Sequence, residues 1–177
     1  MDPFFIVFLI TCGFAALTDF LIYKIPNEVI VFLFVLFFIK VFVLIGFEWD
    51  ALKIPLIVFG ATLFVCFVLY AVKLLGAGDA KIIAVVSLWM TDYNVLLFFI
   101  LMTLAGGLMG LIYLKGHNFI EIGRLFLLKK ISEVKVFKGY LDEKQFSPSR
   151  DIESKLKMTI PYGVAVFAGV ILMLKFY

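Results

Sequence analysis

Apolar residues run through this chain in long blocks cut by short polar interruptions. The blocks occupy residues 4–23, 29–47, 54–72, 80–90, 95–114 and 160–177. Most approach the roughly 20 residues that an α-helix needs to cross a bilayer, and no heptad runs, low-complexity tracts or clear repeats accompany them. The expected fold is an all-α integral membrane protein, a bundle of six transmembrane helices with a cytoplasmic polar subdomain between helices 5 and 6. Residues 1–114 would carry the first five helices, 115–158 the polar segment and 159–177 the last helix. The fourth block stands apart, because its 11 residues at 1.5 Å each reach about 16 Å, half the hydrocarbon thickness. That helix must be sheltered by its neighbours or lie where the membrane is thinned.

The interruptions have local causes. Pro26, in Lys24-Ile25-Pro26-Asn27, disfavours helix at the residue before it and ends the first span. Residues 48–53 read as a short polar loop with Trp49 at the interface, and residues 73–78 turn the chain. Lys40 is the one charge inside the second block and is expected to snorkel toward an interface. In the fifth block Gly106 and Gly110 make a small-residue face for close helix packing. The first block lacks a basic start and follows Asp2, so it does not read as a cleaved signal peptide.

Composition sharpens this picture. The chain is 64% hydrophobic and 16% charged, with a mean hydropathy of +1.15, whereas soluble domains are nearer half apolar and a quarter charged. Cys12 and Cys66 both lie inside apolar blocks and read as small buried hydrophobes. A lone histidine, His117, cannot build a zinc site; no metal, no cofactor and no nucleic-acid partner is expected. Residues 115–157 hold 10 of the 16 Lys and Arg and 6 of the 13 acids, with Ile122, Leu125 and Phe126 at helical spacing. This segment is either a small polar subdomain or an amphipathic element on the bilayer surface. If it shares a side with Lys24, Lys73 and Lys81, that side holds 13 basic residues against three, Lys40, Lys53 and Lys175. The positive-inside rule then places it in the cytoplasm of a plasma-membrane protein, with both termini outside.

Two carboxylates remain in apolar surroundings: Asp19 near the end of the first block, and Asp79, which follows Gly76-Ala77-Gly78 and opens the fourth. Within or at the edge of a span a carboxylate costs about 2.5 to 3.5 kcal/mol and is mostly functional. The chain direction puts both at the cytoplasmic end. Asp79 would sit at a helix N-terminus, where the dipole favours the anion, and Asp19 near a C-terminus, where it does not. Asp79 is therefore the expected base and Asp19 the acid of a coupled pair, holding a water between them as in aspartic proteases.

These residues resemble a known family. Gly76-Ala77-Gly78-Asp79 is similar to the GxGD signature of intramembrane aspartyl proteases, the group of presenilin, signal peptide peptidase and the type IV prepilin peptidases. Asp19 ahead of Ile25-Pro26-Asn27 resembles the first-aspartate motif of the prepilin peptidases, and Lys81 matches their GxGDxK form. Bacterial members carry a cytoplasmic loop with two Cys-x-x-Cys pairs and also methylate their product. Without that loop, the chain most resembles the archaeal preflagellin (prearchaellin) peptidases, with archaeal prepilin peptidases close behind.

The resemblance implies cleavage of a short basic leader just after a glycine, on the cytoplasmic side of the hydrophobic segment of a preflagellin or prepilin-like substrate, without methylation. It implies catalysis by Asp19 and Asp79 and contact with substrate or catalyst at Gly76 and Gly78. Pro161-Tyr162-Gly163 would correspond to the proline motif near the active site of presenilin relatives, or open an ordinary helix with Pro in its first turn. Lys81 would hold an aspartate or reach lipid headgroups. Acids such as Glu121, Glu133, Asp142 and Glu143 could attract a basic leader, while the segment's net charge of +4 suits anionic lipid as well. Serine and metalloprotease chemistry lack their partner residues. The alternative from another class is a proton-coupled carrier or scaffold using the same two aspartates, though carriers more often show two repeated halves.

Overall fold

The computed structural model describes residues 2–46, 48–132 and 161–176. Among them are six α-helices and one closing 3-10 turn: α1 (Pro3–Ile22), α2 (Asn27–Leu44), α3 (Trp49–Ala71), α4 (Ala77–Met90), α5 (Val95–Ser132), α6 (Tyr162–Met173) and Leu174–Phe176. Four stretches are long and apolar enough to cross a membrane: Pro3–Ile22, Asn27–Leu44, Trp49–Ala71 and Val95–Gly116. The chain is a multi-pass, all-helical membrane protein by this measure.

Three boundaries differ from the sequence reading. Residues 49–53 are not a loop, because α3 begins at Trp49; a helix first turn takes polar residues readily, and Asp50 there suits the positive helix end. The fifth helix does not stop at 114. The spanning stretch ends at Gly116, whose backbone is non-helical, and a second helical stretch continues from there to Ser132. The last helix has 12 residues rather than a full span, because Pro161 sets its start and the chain tightens into the 3-10 turn after Met173. Glu133, Asp142 and Glu143 lie outside the described residues.

The helices divide into an inner and an outer set. α4 packs chiefly against α3 and also on α2, α1 packs on α6 and α2, and α5 packs along α6. Every residue from 82 to 90 of α4 is buried, so the short fourth helix is sheltered by protein, as its length demands. By contrast only 17% of the spanning window of α3 and 6% of that of α5 are buried. Their exposed faces carry Ile57, Phe64, Leu104 and Leu111, an apolar surface suited to lipid rather than water. Gly106 of α5 does face a partner: a Cβ there would meet Ala165 of α6 at 3.5 Å. On the other side of that contact, a Cβ on Gly169 would come within 3.0 Å of the Met102 backbone.

The C-terminal end of α4 is built around Trp89, which is fully buried. Phe8 stacks on it with centroids 4.6 Å apart, Phe37 meets it edge-on at 5.7 Å, and its Nε1 donates to the Leu33 carbonyl at 3.2 Å. Lys40, expected to snorkel, is instead buried, forms an ion pair with Asp92 and lies 5.4 Å from the centre of the Trp89 ring. A cation that finds a carboxylate and an aromatic face has no need to reach for headgroups. Cys12 and Cys66 are both buried and free.

Candidate active site

At the opposite end of α4 the chain brings its sequence motifs together. Gly76 is the N-cap of α4 and Asp79 lies in its first turn. From there the Asp79 side chain turns back toward Gly76, so that its carboxylate lies beside the start of the helix. A Cβ on Gly76 would sit 2.7 Å from the Asp79 Oδ2, closer than side-chain atoms tolerate. This position needs glycine for space rather than for a special backbone angle.

Asp19 is held from a different direction. It sits one turn before the end of α1 and is buried. Its Oδ2 accepts the N–H of Gly163 at 2.6 Å, and Gly163 lies in the first turn of α6 behind the N-cap Pro161. A Cβ on Gly163 would stand 2.9 Å from Oδ2, 3.0 Å from Cβ and 3.2 Å from Cγ of Asp19. Glycine is therefore what allows α6 to point its positive end at this carboxylate. Pro161-Tyr162-Gly163 both opens a helix and touches the candidate site, so the two readings of that motif coincide. Tyr162 packs toward Gly106 of α5.

This geometry alters the expected difference between the aspartates. The end of α1 disfavours an anion at Asp19, but the start of α6 favours one. Each carboxylate thus faces a helix N-terminus, which narrows the difference expected between them, while only Asp19 also lies at a helix C-terminus.

The remaining motif residues join the two aspartate segments. Lys81 donates from Nζ to the Asn27 Oδ1 at 3.1 Å, which ties α4 to the start of α2. A Cβ on Gly78 would meet the Ile25 Cβ at 3.9 Å, ordinary contact, so Gly78 is not demanded by crowding. Ile25-Pro26-Asn27 and the GxGD turn are thus neighbours in space. Among the described residues no group of three metal-binding side chains gathers. Arg124, whose Nη1 donates to the Leu21 carbonyl at 2.9 Å, had no distinguishing signal within its basic segment.

The sequence model of the type IV leader peptidase family matches residues 6–111. The chain belongs to that family. The match takes in both aspartates and the whole of α4, and it makes the protein a peptidase rather than a carrier or scaffold. No curated protein and no solved structure matched the chain.

Proposed function

We propose that this leader peptidase is an aspartyl endopeptidase of the plasma membrane with Asp19 and Asp79 as its catalytic pair. The observation that carries this reading is that both carboxylates sit at the same end of the bundle, each beside a helix N-terminus, with Asp19 accepting the Gly163 amide. Two carboxylates so placed share a proton, because like charges at close range resist joint ionisation. A water between them loses a proton to one as the other protonates the scissile carbonyl oxygen, and the resulting tetrahedral intermediate collapses with proton return to the leaving amine. Either carboxylate can begin as base.

The substrate in this reading is a preflagellin or prepilin-like subunit. Its short basic leader is removed after a glycine, on the cytoplasmic side of its hydrophobic segment, and the new N-terminus stays unmethylated. Gly76, Gly78 and Pro161-Tyr162-Gly163 border the cleaved bond. The excess of basic residues on the side of the site supports the cytoplasmic assignment, with both termini outside. The test is to incubate the reconstituted chain with such a subunit and S-adenosylmethionine and to weigh the product. A new N-terminus following the leader glycine, without an added methyl group, is the expected result. An intact subunit, or cleavage elsewhere, would refute it.

A further inference from the structure

The part of α5 beyond the Gly116 kink carries Arg124 back to the end of α1. Arg124 is only 8% exposed. Its Nη1 donates to the Leu21 carbonyl at 2.9 Å, and its guanidinium lies over the Tyr23 ring, 4.7 Å from the centroid. Leu21 and Tyr23 follow Asp19 within the same final turn. Tyr23 is left-handed, with φ of 51°, and its N–H closes the turn on the Asp19 carbonyl at 2.8 Å. An aromatic residue resists that conformation, and such strain persists only where surrounding structure over-determines it. Here the surroundings are the guanidinium, which satisfies a terminal carbonyl, covers the tyrosine ring and places positive charge at a helix C-terminus.

We propose that Arg124 is a positioning residue for Asp19. It clamps the last turn of α1 and so sets the depth and rotation at which the Asp19 carboxylate meets the Gly163 amide. It acts through the α1 backbone and does not touch substrate. The inference rests on the catalytic reading of Asp19 given above. A planar guanidinium does both tasks at once, whereas a lysine keeps the charge and a donor but loses the flat stacking surface.

The test compares the full-length reconstituted parent with Arg124→Ala, Arg124→Lys and Tyr23→Leu, by leader cleavage and by hydrogen exchange at the Tyr23 amide. Arg124→Ala is expected to lower kcat by about 10- to 100-fold, the scale of a displaced catalytic group, with KM within about twofold because ground-state binding is untouched. Exchange at the Tyr23 amide should quicken by about tenfold or more as the turn opens. Arg124→Lys and Tyr23→Leu should fall between parent and alanine on both readouts, and they carry the test if the alanine variant fails to fold. An unchanged kcat overturns the proposal. So does a rise in KM alone, which would make Arg124 a substrate contact, or a lower kcat with unchanged exchange. If the parent cleaves no leader, the catalytic reading fails, and unchanged exchange in the variants would still overturn the clamp separately.

Discussion

The two ends of α4 are held by opposite means. At its C-terminal end the fastening is bulky and made of side chains: Trp89 between Phe8 and Phe37, and Lys40 paired with Asp92. At the aspartate end it is small, with the Gly163 amide on Asp19 and glycines where a Cβ would meet each carboxylate. Large aromatic contacts fix a helix in depth and rotation at modest cost. Small residues and main-chain donors leave room beside the carboxylates while still orienting them. The difference teaches that α4 is anchored at one end and exposes its chemistry at the other.

That contrast predicts different failures at each end. The largest effect short of removing a carboxylate belongs to Gly163→Ala, whose methyl must displace Asp19; cleavage should fall about 100-fold, the usual toll of an ångström-scale misplacement, with thermal stability little changed. At the Trp89 end stability should move instead of chemistry. Asp92→Asn leaves the Lys40 cation buried without its carboxylate and is expected to cost about 2 kcal/mol, discounted from a fully buried pair because Asp92 is half exposed. Thermal unfolding in detergent measures it, and the folded fraction should keep its specific activity. Gly76→Ala comes next. Its methyl meets only the far end of the Asp79 side chain, and turning that carboxylate aside at about 1.4 kcal/mol corresponds to about tenfold in rate. The smallest effect is that of Lys40→Met, which leaves Asp92 able to face solvent; about 1 kcal/mol or less is expected. If Lys40→Met proved as costly as Asp92→Asn, the buried lysine would not be the member of the pair that needs its partner.

How much of this was legible in the sequence follows from what each residue's partner is. Asp19 and Asp79 stood out because carboxylates are costly in apolar sequence, and shelter by protein was one of the two readings that the length of α4 allowed. Lys40 was equally conspicuous, yet its partner lay 52 residues away, beyond any local pattern. Gly163 was flagged only through its motif, since a backbone N–H that reaches a carboxylate 144 residues distant leaves no mark in residue type. That same contact brings a second helix end to Asp19, which reasoning from the end of α1 alone did not include. Arg124 was hidden for the opposite reason, lying among basic residues that read together as a polar subdomain or a surface element. The start of α3 was missed because the polar first turn of a helix has the composition of a loop.

The most direct test of the account is cleavage of a prepilin-like subunit by the parent, Asp19→Asn and Asp79→Asn, reconstituted at equal amounts and with matched thermal unfolding. The account predicts that each single substitution lowers the rate by about 1,000-fold or more, as for groups that act as one catalytic unit, and that the double variant is no worse than either. A variant that kept near-parent cleavage would contradict the paired-aspartate mechanism, even with the family membership of the chain intact.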